Sequence, residues 1–90
     1  MIQVTLEFFS FIKFESGVDS VQLELKDNAT IEDLIGKLAD DFGEDLMKYI
    51  RNPDTNRRHA LFMIKGRISQ PDDILNDEDE IKVMPAVAGG

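Results

Sequence analysis

Residues 30–43, TIEDLIGKLADDFG, decide the fold. Ile31, Leu34, Ile35, Leu38, Ala39 and Phe42 recur at helical spacing and form one apolar stripe. Glu32, Asp33, Gly36, Lys37, Asp40 and Asp41 fall on the wet face. Thr30 is the expected N-cap, Asp33 completes a capping box three residues on, and Glu32 suits the positive end of the helix dipole. Gly43 stands where a left-handed C-terminal residue is wanted. A helix with a single apolar stripe needs a second layer to cover it, and the flanking sequence supplies one.

Upstream, Ile2, Val4, Leu6 and Phe8 alternate with Gln3, Thr5 and Glu7, the period-two pattern of a half-buried strand. The pattern breaks in Phe9-Ser10-Phe11-Ile12-Lys13-Phe14. Either the strand bulges there, or it ends and a loop packs its aromatics back on the core. Glu15-Ser16-Gly17 is a turn, and Val21, Leu23 and Leu25 define a second strand that forms a hairpin with the first. Downstream, Leu46, Met47 and Ile50 suggest a short helical turn, and 51–59 is a polar loop turning at Asn52-Pro53-Asp54. Ala60-Leu61-Phe62-Met63-Ile64 is an unbroken apolar run, read as a strand with one face buried. Gly66 turns it, Ile68 is a brief paired edge, and Pro71–Leu75 reads as a helical turn with proline at a permitted first position. An acidic turn over Asn76–Glu80 leads to a last strand with Ile81 and Val83 inward and Lys82 and Met84 outward.

The order strand, strand, helix, strand, strand is satisfied by a mixed sheet with the main helix across one face and the first and last strands parallel in the middle. This is an α+β arrangement, the ubiquitin-like β-grasp. Residues 1–84 are expected to form that domain, and 85–90 a flexible C-terminal tail ending in Gly-Gly.

Composition narrows the function classes. Ninety residues make one domain, with 10 basic and 18 acidic side chains and 42% hydrophobic content. A net charge of −8 disfavours nucleic-acid binding, which needs clustered Lys and Arg. No apolar run approaches the ~20 residues of a membrane span, and no signal peptide is visible, so the expected compartment is the cytoplasm. Cysteine is absent, which excludes disulfides, thiolate metal sites and a thiol nucleophile.

The tail, Pro85-Ala86-Val87-Ala88-Gly89-Gly90, is hard to explain as packing. Pro85 removes a ladder donor and suits a strand end. The residues beyond it are small, and paired glycines maximise the ordering cost. Such a tail suits threading a narrow slot in a partner and presenting its carboxylate to a reagent. A frayed terminus is the bland alternative. The chain resembles the MoaD/ThiS family of ubiquitin-like sulfur carriers, nearest to the molybdopterin synthase small subunit. The matching stretches are Ile2–Leu6, the turn Asp77–Glu80, the strand Ile81-Lys82-Val83, and Met84–Gly90, which resembles the family's Pro-x-Val-x-Gly-Gly ending.

The resemblance implies that a partner adenylyltransferase (MoeB/ThiF-like) uses ATP to convert the Gly90 carboxylate to an acyl-adenylate. A sulfur donor protein then displaces AMP to leave a thiocarboxylate, and the tail enters a large synthase subunit (MoaE-like) that spends the sulfur on a pterin precursor. Gly90 is then the reacting group, Gly89 its access, and Pro85, Ala86, Val87 and Ala88 the docking segment. Apart from the resemblance, Met84 and Phe62 are read from the apolar pattern as further partner contacts. No cofactor or metal is expected on this chain itself, and no catalysis. A ubiquitin-like modifier joined through Gly90 to lysines is the alternative, as is a carrier for thiamine, cysteine or tungsten-cofactor synthesis. Three departures from the family pattern stand out: Glu78 where a glycine is usual, Lys13 and Glu15 flanking Phe14 where an Arg-Glu pair is usual, and Ile64-Lys65-Gly66-Arg67 without the frequent asparagine.

Other features read as structure. The basic residues Arg51, Arg57, Arg58, Lys65 and Arg67 fit a solvated segment or a contact for an anionic partner. The acidic turn lacks calcium-loop spacing, His59 has no partner at metal or triad spacing, and Gly36-Lys37 lacks the context of a phosphate loop. In 60–64 one parity must face away from the helix, either Leu61 and Met63 or Phe62 and Ile64. With Met84 that parity is expected to form a docking patch beside the tail.

Overall fold

The computed structural model describes residues 1–51 and 60–86, apart from the Phe11 side chain. The elements are β1 (Ile2–Phe8), α1 (Ser10–Ser16), β2 (Ser20–Leu25), α2 (Ile31–Phe42), α3 (Glu44–Met47), β3 (Ala60–Ile64), β4 (Arg67–Ile68) and β5 (Glu80–Pro85). Among the described residues the strands form one sheet in the order β2-β1-β5-β3-β4. β1 and β5 run parallel and the other neighbours antiparallel. This is the α+β β-grasp arrangement, with α2 across one face.

The strand alternation holds: Ile2, Val4, Leu6 and Phe8 of β1, Leu23 and Leu25 of β2, and Ile81 and Val83 of β5 are buried on the face toward α2. Ile31, Leu34, Ile35 and Leu38 meet them from the helix. Ala39 is exposed instead, because at about 100° per residue it lies at the flank of the stripe.

The start of α2 shows how thoroughly the fold satisfies its backbone. The first four N–H groups of a helix have no partner within it. Here Ile31 N–H donates to the Asp73 carbonyl at 3.1 Å and Glu32 N–H to the Pro71 carbonyl at 3.1 Å, while Leu34 N–H makes the first bond within the helix, to the Thr30 carbonyl at 3.0 Å. Asp33 N–H donates to Thr30 Oγ1 at 3.2 Å, while Thr30 N–H donates to the Asp33 carboxylate at 2.9 Å, closing the capping box. Such a cap contributes about 1 kcal/mol. The Thr30 N–H also holds the Asp33 carboxyl below its ordinary pKa. That contribution is present above the usual carboxylate range and is lost as pH falls through it.

Two local expectations are corrected. Residues after Phe8 form helix α1, neither a bulge nor a loop. Ile12 is fully buried, the Ser16 hydroxyl donates to the Ile12 carbonyl, and Gly17 closes the helix at φ 76° with its N–H on the Lys13 carbonyl. A helix this short does not display a helical period. Pro71–Leu75 is a turn with Ile74 bridging Thr30, not a helical turn. Its Pro71 and Asp73 carbonyls are already committed to capping α2.

The acidic turn fastens β5 to β1. Gln3 N–H donates to Asp77 Oδ1 at 2.8 Å, Glu78 N–H to the Gln3 carbonyl at 2.7 Å, and Thr5 N–H to the Asp79 carbonyl at 3.0 Å. Asp79 is buried and accepts from Asn76 N–H at 2.8 Å. Within this turn Glu78 adopts φ 67°, the left-handed conformation that costs an L-residue about 1 kcal/mol and that glycine adopts freely. Glu78→Gly keeps the N–H bond to Gln3 and is expected to stabilise the protein by about 1 kcal/mol in urea unfolding. A neutral or destabilising result would contradict the strain.

Candidate functional site

β5 carries the chain to the site. Its paired residues run from Glu80 opposite Thr5 to Val83 opposite Phe8 on one side, and from Ile81 opposite Ile64 to Pro85 opposite Ala60 on the other. Pro85 has no N–H to continue the ladder, so pairing stops there and Ala86 leads off the sheet, half-buried. Phe9 N–H donates to the Val83 carbonyl at 3.0 Å, which places the start of α1 beside this exit. Val87, Ala88, Gly89 and Gly90 lie outside the described residues, as do 52–59 with His59, Arg57 and Arg58.

The parity of β3 is settled by burial. Ala60 and Phe62 point to the core and Phe62 is 0% exposed, while Leu61 and Met63 are half-buried on the face away from α2. Phe62 is therefore corrected from a partner contact to a core residue: it opposes Val83, itself fully buried, and moving it out would empty the centre of the sheet. Met84, half-buried, opposes Leu61 on the outer face.

Ile68 joins them, a residue expected only to form an edge. Lys65 and Gly66 both have positive φ, 53° and 81°, the signature of a two-residue hairpin turn. That turn pairs Met63 with Ile68 and sets both on one face. The Lys65-Gly66 pair is the signal in the sequence that points to it. Ile68 is 51% exposed. Leu61, Met63, Ile68 and Met84 thus make an apolar outer surface next to the tail exit. It borders a depression of about 470 Å³ rimmed by Lys65, Lys82, Glu78 and Glu80. On α1, Phe14 is 79% exposed.

Among the described residues no three His, Asp or Glu side chains gather to hold a metal ion. Arg51, from the basic segment, is bound to Glu32 at 2.6 Å and serves the helix layer. Among the described residues no helix is long and apolar enough to cross a membrane. What the arrangement offers is an apolar outer face with a strand end at its margin.

Comparison with known proteins gives the same picture. The structure is similar to the small archaeal modifier protein 1 of Haloferax volcanii, with a TM-score of 0.82 at 17% identity over 97% of this chain and 100% of that one. It is similar to a Pyrococcus furiosus protein described as a molybdopterin converting factor, subunit 1, with a TM-score of 0.76 at 24% identity over 97% and 100%. A ubiquitin of Caldiarchaeum subterraneum matches at 0.60 and 19% identity over 99% and 98%. These likenesses concern the fold. No curated protein sequence matches. The model of the ThiS family matches residues 6–90, from β1 through the Gly-Gly pair, and with that span the chain belongs to the ThiS family of ubiquitin-like sulfur carriers.

Proposed function

We propose that this protein is the sulfur carrier of molybdopterin synthesis, a protein cosubstrate and not an enzyme. The observation that carries this reading is the family match running through Gly89 and Gly90. A carboxylate oxygen of Gly90 attacks the α-phosphorus of ATP on a partner adenylyltransferase, and pyrophosphate leaves. A sulfide equivalent from a donor protein then adds to the activated carbonyl, AMP departs, and Gly90 holds a thiocarboxylate. On a large synthase subunit the thiocarboxylate sulfur bonds to a carbon of a pterin precursor, and water attacks the Gly90 acyl carbon, breaking its bond to sulfur and returning the carboxylate. Sulfur held at a chain end agrees with a chain that has no cysteine. Pro85 to Ala88 form the docking segment, Gly89 gives access, and the catalytic groups belong to the partners. The cytoplasm is the proposed compartment.

A second reading shares the first step. The likeness to an archaeal modifier protein favours conjugation, in which a lysine amine, not sulfur, displaces AMP. Branched glycine–lysine peptides in a digest of native cells distinguish it from the carrier reading.

Activation is tested by ATP–pyrophosphate exchange with the adenylyltransferase. The intact chain is expected to support exchange, and a variant lacking Gly90 to lose it at least about a hundredfold while its melting temperature stays unchanged. Exchange that survives the deletion would sink the reading.

The outer face is proposed as the docking surface for both partners. Met63→Glu places a charge in the middle of Leu61, Ile68 and Met84, where a partner must desolvate it. It is expected to lower the activation rate by roughly tenfold or more with the fold intact by circular dichroism. Wild-type activation would show that partners dock elsewhere.

A further inference from the structure

The outer face of the sheet has a chemical peculiarity besides its apolar surface. The chain contains four methionines and no cysteine, so thioethers are its only sulfur. None of the four belongs to the buried core, which is built from Ile, Val, Leu, Phe and Ala. Met1 is exposed, Met47 is half-buried, and Met63 and Met84 are half-buried on the outer face. An oxidant that reaches this chain therefore meets methionine sulfur outside the core, and the packing inside does not depend on that sulfur.

Met63 and Met84 are neighbours. Met63 pairs with Lys82, and Leu61 with Met84, in the β3–β5 register. The two methionines thus stand diagonally across adjacent strands on one face, a spacing within reach of long side chains. Leu61 and Ile68 flank them, and both border the depression of about 470 Å³. The strands beneath are fixed, because β3 is paired with β4 and β5, and β5 with β1 and β3.

Methionine is not the residue that a strand asks for there. A β-branched side chain fits a pleated surface better and has less rotamer freedom to lose. Two methionines at one face suit a surface that moulds to more than one partner. They also make that surface chemically alterable. Oxidation turns each flexible apolar thioether into a polar sulfoxide. Under a docked partner that sulfoxide loses its hydrogen bonds to water, a penalty that the thioether does not carry.

We propose that Met63 and Met84 form a reversible oxidation site, which closes the outer face to partners under peroxide and reopens it on reduction. The inference rests on the docking surface proposed above. In the oxidising step a sulfur lone pair attacks one oxygen of hydrogen peroxide. The O–O bond breaks, and the hydroxide that leaves takes up a proton to become water. Sulfur is oxidised by two electrons and the peroxide is reduced by two. In the reverse step a dithiol, acting through a methionine sulfoxide reductase, becomes a disulfide, and the sulfoxide oxygen leaves as water. Because the core holds no methionine, the fold persists through both steps.

For the test, the chain alone is treated with hydrogen peroxide, freed of it, and assayed for ATP–pyrophosphate exchange with the adenylyltransferase. Peptide masses are expected to show one added oxygen on Met63 and one on Met84. Exchange is expected to fall roughly tenfold or more, while the melting temperature stays within about 5 °C of the untreated chain. Incubation with dithiothreitol and the reductases for both sulfoxide epimers should restore it. Met47→Leu should lose exchange on treatment as the wild type does. The doubly substituted Met63→Leu/Met84→Leu chain, compared with itself before and after peroxide, should change by less than about twofold, since leucine offers no sulfur. The proposal is overturned by undiminished exchange in a chain oxidised at both sites, or by Met63 and Met84 staying reduced while Met1 is oxidised. A loss of equal size in the double variant, exchange that the reductases do not restore, or unfolding on oxidation overturns it too. Undiminished exchange after oxidation, together with a loss in Met63→Glu, would remove the switch and leave the docking surface standing. Wild-type exchange in Met63→Glu would remove both.

Discussion

The parallel pairing of β1 with β5 is the constraint on which the rest of the structure hangs. Parallel neighbours cannot be joined by a tight turn, so the chain between them must cross over. That crossover holds the helix layer and the whole β3–β4 hairpin. The pair is fastened at both ends. At its start the acidic turn takes up the Gln3 and Thr5 N–H groups, and at its finish Phe9 N–H reaches the Val83 carbonyl. Between these clasps Leu6, Phe8, Ile81 and Val83 are packed into the core, which leaves β5 a single register. A strand fixed in register delivers the residues after it to a fixed starting point, and here those residues are the tail.

The two faces of the sheet divide the work. The inner face is covered by α2, whose first-turn N–H groups are satisfied by the Thr30 cap and by the Pro71 and Asp73 carbonyls. The segment before β5 therefore acts as a lid on the helix start. The outer face keeps Leu61, Met63, Ile68 and Met84 half-buried or exposed, more apolar surface than a solvated sheet face needs. On the proposed reading, docking on this face sets the distance over which the residues after Pro85 must reach.

Much of this was legible in the residues. The α2 stripe with its Thr30–Asp33 box, the alternation in β1 and β5, and the parallel central pair followed from spacing and caps alone. Three things did not. Helix α1 is a short element whose aromatics lie on both parities, so neither period shows, and only the buried Ile12 reveals its inner side. Strand β3 is apolar on both parities, with Ala60 and Phe62 in the core and Leu61 and Met63 half-buried on the outer face, so alternation could not say that Phe62 belongs inside. The turn at 71–75 has the composition of a helix start, and its carbonyls are diverted by a helix much earlier in the chain. The tail was legible as a family ending, from Met84 through Gly90, and as chemistry it rests on that family.

The central claim is that Gly90 carries sulfur. It is tested most directly by the intact mass of the protein purified from its native cells under non-reducing conditions, with fragmentation to locate any change. The account predicts a species heavier by one oxygen-to-sulfur exchange, confined to Gly90. A mass that stays unmodified, even after incubation with the adenylyltransferase, ATP and a sulfur donor, would contradict it.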